Sequence, residues 1–511
     1  MKRALWLAAF ATLVTLAVGA AHGAVGPDSG ANGGLLQPDG KMLVAGWGAR
    51  GGSRAFGLAR YEPDGSPDMS FGLRGKVATA QPNSDFHGFS FAVARAVALQ
   101  PDGRIVVAGC CPFALSRYKA RGVLDRSFGT GGRVSTKFGS LRVRAYALAI
   151  RPNGKIVAAG ASWGDTEAGF ALARYRADGK PDNSFGADGR VRTMIGSGGS
   201  AYALAIQPDG RVVVAGSGGG GFALARYEPN GSLDSSFDAD GVVVSNFGWP
   251  AEAHALALQP DGKILAAGFG LTSGTVTDKR REFVLARYDA DGSLDGSFGS
   301  GGFVTTPFLD CGCDLPYGGV ANAISLQQGG KIVAAGADLD PRPQSRGTFA
   351  LARYKSDGSP DDSFGSDGRV TTSFGFNPPA NGTSGDAANA VAVQPDGKVV
   401  AAGYSQFGPH TEQYEVALAR YDDDGALDPS FGTQGKATTS IAFCLVPKVK
   451  RQILGPARDA IRNARCTVGR VKRVYSRNVG NKHVVSQKPR AGAFRLEGAK
   501  VKLTVSKGRR K

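Results

Sequence analysis

Seven residues occupy one recurring place in this chain: Asn32, Arg95, Tyr146, Tyr202, His254, Asn322 and Asn389 each follow an Ala in a short apolar run. All seven are polar or can hydrogen-bond, while their neighbours are mostly Ala, Val and Leu. Gathered at one opening, such donors, acceptors and rings suit a polar ligand, a glycan or a peptide. The plain alternative is that strand ends beside water are polar for that reason alone. Acid–base groups are scarcer. Beyond residue 24 there are four histidines, His87, His254, His410 and His483. No H-E-x-x-H, G-x-S-x-G, P-loop or completed S-x-x-K arrangement is present. The chain is therefore read as having no catalytic residues, no enzyme activity and no cofactor. The alternative is a hydrolase or lyase of an extracellular or cell-wall polymer, using His254 with a carboxylate at a central channel.

Other reactive side chains read as structure. An Arg and an Asp recur once per unit, from Arg60 and Asp68 to Arg420 and Asp428. Equal use in every unit points to a repeated Arg–carboxylate clamp, because a single active site would make one unit unusual. The run Asp289-x-Asp291-Gly-x-x-Asp295 lacks the twelve-residue calcium pattern and its closing Glu. Other copies spell that turn Glu-Pro-Asn-Gly, so turn chemistry accounts for it and no metal site is expected. Six cysteines fall as close pairs, Cys110/Cys111, Cys311/Cys313 and Cys444/Cys466. An even count favours disulfides in an exported chain. Zinc is the alternative for the first four, without any C-x-x-C spacing to support it.

Repetition shows what holds these residues. The segment from Ala201 to Gly216 recurs from Ala31, Ala94, Ala145, Ala253, Ala321 and Ala388, which makes seven units. Each copy continues into a Phe-Ala-Leu-Ala-Arg-Tyr-like run and a Ser-Phe-Gly-like triplet. The second unit has four β-type runs, at 94–100, 104–109, 113–118 and 133–136, with Pro-Asp-Gly and Gly-rich turns between the outer pairs. Seven such units predict an all-β fold: a seven-bladed β-propeller of four-stranded antiparallel blades. A linear β-solenoid would have shorter coils and parallel strands. Ala96 and Ala98 on one face of a strand, against Val97 and Leu99 on the other, suit blades interlocking near an axis.

Spacing also separates the two faces of such a disc. The opening Ala to the Gly ending the second run is 15 positions in every unit, and Arg to the Phe of Ser-Phe-Gly is 11. The other two connections vary widely. In an up-and-down blade the constant turns share one face and the variable ones the other, where binding usually resides. The seven recurring polar residues open the innermost strand, at the channel mouth on the elaborated face.

The repeat resembles the bacterial delta-60 family, Q-P-D-G-K-I-x-x-A-G followed by L-A-R-Y-x-x-D-G-x-L-D-x-S-F-G, over residues 31–440. Asn153, Gly329 and Asp238 depart from it as turn variants. The resemblance implies a propeller of secreted or surface proteins and brings no established activity with it.

The ends of the chain differ from its middle. Lys2-Arg3, an apolar run over residues 4–20 and small residues to Ala24 read as a secretory signal peptide, 1–24, with an uncleaved anchor as the alternative. The propeller is assigned 25–440. Residues 441–511 hold 20 Lys and Arg against Asp459 and Glu497 alone, so the whole net charge of +18 belongs to them. Helical spacing at Ala457, Ala460, Ile461 and Ala464, then strand-like 468–475, 484–487 and 501–505, predict a small α+β unit, 441–508, before a basic tail, 509–511. V-P-x-V, A-x-x-A-I, V-G-x-V, S-Q-x-P-x-x-G and V-x-L-x-V-S-K-G appear in order, which resembles the PASTA domain. That family is associated with penicillin-binding proteins, Ser/Thr kinases and peptidoglycan fragments, which implies a wall-binding element. A disulfide is expected between Cys444 and Cys466, joining the module's first strand to the end of its helix.

The reading is a secreted, extracellular or cell-wall protein whose propeller binds or scaffolds a glycan, peptide or protein. Its C-terminal module holds peptidoglycan or an anionic wall polymer. No nucleic acid and, after signal cleavage, no transmembrane segment is expected.

Overall fold

Runs such as Ile264–Leu271 and Arg281–Tyr288 are buried along most of their length. A sheet made of them has to be covered on both faces. The computed structural model describes residues 17–18, 29–50, 53–81, 85–86, 89–90, 92–110, 113–164, 168–196, 198–272, 280–308, 318–339, 346–375, 384–406, 414–491 and 493–510. It provides the cover by setting seven four-stranded antiparallel blades around an axis. Blade 1 is Ser29–Leu36, Met42–Arg50, Ser53–Tyr61 and Lys76–Thr79. Blade 5 is Ala251–Leu258, Ile264–Leu271, Arg281–Tyr288 and Phe303–Thr306. Blade 7 is Ala387–Val393, Val399–Gln406, Tyr414–Tyr421 and Lys436–Thr439. First strands of successive blades touch one another all the way round, last to first, so they line the axis.

The core is a series of layers between blades. Val97 joins the layer with blade 1, and Ala96 and Ala98 the layer with blade 3, which is the large-against-small alternation expected from the strand. Every blade is one continuous stretch, so no exchanged strand closes the ring. Closure is by the same apolar packing, here between blades 7 and 1, and by hydrogen bonds: Asn389 Nδ2 donates to Ala31 O at 2.8 Å, Arg420 Nη1 to Pro63 O at 2.5 Å and Gly432 N to Asp64 O at 2.7 Å.

The recurrent Arg is the strongest of these ties. Its Nε or Nη2 meets the recurrent Asp at 2.6–3.0 Å in all seven blades, and its guanidinium lies 4.6–4.8 Å over the Phe of Ser-Phe-Gly. Its Nη1 crosses to the next blade, as from Arg60 to Ala120 O at 2.6 Å. A Lys or Arg of the first turn also reaches the same carboxylate, as Lys41 does Asp68 at 3.0 Å. Burial alone would raise the Asp68 carboxyl. Hydrogen bonds from Ser70 and Lys41, with the charge of Arg60, outweigh it and hold the group well below the usual carboxylate range. The clamp is structural, as its equal recurrence predicts.

The C-terminal module is one helix on a three-stranded sheet. Leu454–Asn463 carries Pro456 in its first turn and buries Ala457 and Ile461, one turn apart, beneath Val501, Leu503 and Val505. The sheet pairs Lys500–Ser506 in parallel with Thr467–Val474 and antiparallel with Val484–Lys488. Phe443–Leu445 pairs with Phe494–Leu496. Cys444 and Cys466 form the expected disulfide, with Cα atoms 5.4 Å apart. Cys110 is buried at the end of a blade 2 strand, while Cys111, Cys311 and Cys313 lie outside the described residues. The disulfide closes a loop with a sequence separation of 22, so replacing both cysteines by Ser is expected to cost the module about 3 kcal/mol. Calorimetry checks this: the module's transition should fall while the propeller's stays, and an unmoved module transition refutes it.

No helix among the described residues is long and apolar enough to cross a membrane. Ala17–Val18 pairs antiparallel with Ile324 and Ala323 on the axial edge of blade 6, and also touches the first strands of blades 1, 3, 4, 5 and 7. Most of the stretch read as a signal peptide lies outside the described residues, as do His87, His410 and the longest variable connections.

Candidate functional site at the channel mouth

The seven recurring polar residues have a common backbone cause. In every blade the pairing of first and second strands slips by one residue, between Ala31 and Gly33 in blade 1 and Ala253 and Ala255 in blade 5. The skipped residues are Asn32, Arg95, Tyr146, Tyr202, His254, Asn322 and Asn389. A bulge of this kind re-aims the side chain of its extra residue. Opposite each bulge stands the Gly that ends the Ala-Gly pair of the second strand. A Cβ there would fall on a backbone carbonyl oxygen: Gly30 O for Gly46, Ser200 O for Gly216, Glu252 O for Gly268. Glycine is needed for close backbone approach.

Re-aimed, the seven side chains form a belt around the axis. Arg95 lies 5.5 Å over the Tyr146 ring. Tyr146 and Tyr202 are 5.4 Å apart, and Tyr202 and His254 5.2 Å, edge-on. His254 Nδ1 is 3.3 Å from Asn322 Oδ1, and Asn322 Nδ2 donates to Asn389 Oδ1 at 3.2 Å. The Asn members also tie blades: Asn32 Nδ2 donates to Ala94 O at 2.8 Å and Asn322 Nδ2 to Ala388 O at 3.1 Å. These three asparagines therefore have a structural task whatever the mouth binds.

Blade 5 breaks the sevenfold pattern. The residue before its opening Ala is Glu252, where the other blades have Gly30, Val93, Arg144, Ser200, Val320 and Ala387. Glu252 Oε2 lies 3.4 Å from His254 Nε2, and the Glu side chain is 36 % exposed. The amide nitrogen of Asn322 is committed to Ala388 O, so its oxygen faces His254 and accepts from Nδ1. Nε2 faces the Glu252 carboxylate, so both ring nitrogens point at acceptors. Burial first, then the negative charge of Glu252, pushes the Tyr202 phenol up to about 12. A histidine, a carboxylate and a phenol thus converge on one sector. In blade 1 Arg54 lies 5.7 Å over Trp47, both buried. His254 is 2 % exposed with Ala17–Val18 seated along the axis. Sequence reading missed Glu252. Its signal was a charged residue at a position otherwise mostly small or apolar.

Comparison with known proteins places this geometry in a family. The model of the "domain of unknown function (DUF5122) beta-propeller" matches residues 37–71, 100–128, 151–185, 207–237, 259–298, 327–364 and 394–431. A PASTA domain matches residues 445–507. No curated protein matches the chain. Among solved structures, a protein from Lactobacillus plantarum is 14 % identical over 79 % of this chain and 98 % of its own, with a TM-score of 0.44. The polysaccharide lyase Uly1 is 12 % identical over 80 % of this chain and 92 % of its own, with a TM-score of 0.44. A GH43 endo-arabinanase from Bacillus licheniformis is 12 % identical over 64 % of this chain and 94 % of its own, with a TM-score of 0.31. At these identities the likeness shows fold alone.

One expectation is corrected here. The reading of no enzyme activity rested on missing motifs and on equal use of Arg and Asp in all blades. The solved structures compared above include a polysaccharide lyase and an endo-arabinanase. A fold does not fix function, and missing motifs do not exclude catalysis on a propeller. Blade 5 also sets His254 beside a carboxylate, the arrangement the alternative reading called for. The chain belongs to the DUF5122 β-propeller family, with seven repeat segments followed by a C-terminal PASTA domain.

Proposed function

We propose that the propeller mouth takes a strand of an extracellular or cell-wall polysaccharide and that His254, with Glu252, moves a proton on it. The convergence of His254 and Glu252 of blade 5 with Tyr202 of blade 4 carries the reading, because no other described belt position sets a histidine beside a carboxylate. A neighbouring carboxylate and a ring held in one orientation are what a histidine needs for general acid–base work. Arg95, half-buried over the Tyr146 ring, offers charge for an acidic sugar. The basic PASTA module then retains the protein at the wall, and the leader-like N-terminus and even cysteine count support export.

The test uses the chain lacking residues 1–24, since Ala17–Val18 takes the axial edge beside the belt. It is offered a panel of neutral and acidic polysaccharides, with binding and chain shortening both measured. At least one polymer should bind and be shortened. His254→Ala should keep binding within a few-fold and lose about 10²–10⁴ in turnover. Equal turnover by His254→Ala refutes the role given to His254, and binding without shortening refutes the catalytic half.

A further inference from the structure

The outer face of the C-terminal sheet gathers charge of one sign. Along Lys500–Ser506, Val501, Leu503 and Val505 are buried under the helix while Lys500 and Lys502 are exposed on the opposite face. Register sets Lys488 directly opposite Lys502, and Lys472 and Ser486 on either side of Thr504. Lys472 and Lys488 are exposed as well. The module's two carboxylates lie elsewhere: Asp459 sits on the helix 3.4 Å from Arg462, and Glu497 is 3.8 Å from Arg465. Like charges directly opposite destabilise a sheet. This one keeps such a pair where uncharged residues would fit.

We propose that this lysine face binds a base-free polymer of phosphodiester-linked polyol units, each phosphate held by ammonium groups of Lys472, Lys488, Lys500 and Lys502. It deepens the wall retention of the proposed function and rests on it. The lysines stand about 7 Å apart along a strand and about 5 Å apart across strands, a grid suited to a chain of single charges rather than one isolated anion. Lysine meets phosphate as a point charge, whereas planar carboxylates are gripped best by the arginine fork. Stacking of bases needs an open aromatic face. Tyr475, the exposed ring at the end of the neighbouring strand, has Lys507 Nζ 5.3 Å over it.

The experiment compares the chain lacking residues 1–24 with its Lys472→Gln/Lys488→Gln/Lys500→Gln/Lys502→Gln variant. A second variant, Lys448→Gln/Lys450→Gln/Arg458→Gln/Arg477→Gln, removes equal charge from other exposed sites. The probes are synthetic poly(glycerol phosphate), a single-stranded oligonucleotide and an uncharged muropeptide, each over a range of salt. The intact chain should bind poly(glycerol phosphate) most tightly. The face variant should bind it at least tenfold more weakly, with a slope of log K against log salt shallower by about 3. Its module should also melt higher, because the Lys488–Lys502 repulsion is gone. Equal loss in both variants, no loss in the face variant, or tighter binding of the oligonucleotide or muropeptide overturns the proposal. Wall binding that survives truncation after Ser440 would instead refute the retention reading, independently of the face.

Discussion

Replacing Arg226 by Met is expected to lower the stability of the propeller by about 3–5 kcal/mol, the cost of removing one member of a buried ion pair. Arg226 Nε meets Asp234 at 2.6 Å, Nη2 donates to Ser236 Oγ at 2.9 Å, and Nη1 donates to Ala290 O in the next blade. Its guanidinium lies 4.7 Å over Phe237. Methionine fills the volume but leaves Ala290 O without that donor and Asp234 with only Arg211 at 3.0 Å and Ser236. Arg226→Lys should fall between, keeping the charge and losing the fork. Urea unfolding measures both, and a change below about 0.5 kcal/mol in Arg226→Met, the range of ordinary surface substitutions, would show that the clamp is ornamental.

The clamp also sets a direction for pH. Burial alone would raise the Asp234 carboxyl, but hydrogen bonds from Ser236 and Arg226 and the Arg226 charge hold it below its ordinary value. Asp68, Asp125, Asp182, Asp295, Asp361 and Asp428 are lowered in the same way. A carboxyl with a depressed folded value contributes fully above the unfolded value of about 3.9 and loses the contribution as pH falls through the folded one. The urea midpoint should therefore hold steady from neutral pH to about 5 and fall below about 4. The gap between the native chain and Arg226→Met should narrow over the same acidic range, since protonated Asp234 no longer gains from the guanidinium.

Much of this was legible because it repeats. Strands expected at 113–118 and 133–136 are found there, and those expected at 94–100 and 104–109 are shifted by one residue, to Val93–Leu99 and Ile105–Cys110. The helix expected from the spacing of Ala457, Ala460, Ile461 and Ala464 runs Leu454–Asn463. The bulge was hidden by the same repetition. Every blade has it at the same place, so comparing spacings between units shows no insertion. What marked it was the glycine opposite, easily taken for a turn residue. The belt was visible as a column of polar residues, but not its division of labour. Asn32, Asn322 and Asn389 reach backbone carbonyls of the next blade, and a side chain at a strand end spans two blades only once the ring is folded. The lysine face was visible only as net charge, because which lysines share a face depends on register.

Gly268→Ala should be among the most damaging small changes in the propeller, costing at least about 3 kcal/mol, as overpacking does when the surroundings cannot yield. The added methyl would fall on Glu252 O and come within 2.9 Å of Ala253 Cα. Both are backbone atoms of the bulged strand, so no side chain can swing aside. Relief has to come from straightening the bulge, which would turn His254 out of the belt and away from Glu252 and Asn322. Stability and the site therefore fail together: the urea midpoint drops, and any polysaccharide bound by the native chain is lost with it. Gly296→Ala is the matched control, with no neighbouring atom within 4 Å of the new methyl; it should be neutral or stabilising by a few tenths of a kcal/mol. A Gly268→Ala protein that accumulates too poorly to titrate, beside a normal Gly296→Ala, supports the same conclusion. A Gly268→Ala chain as stable as the native one would mean that the bulge does not need its glycine, and the backbone cause assigned to the belt would be wrong.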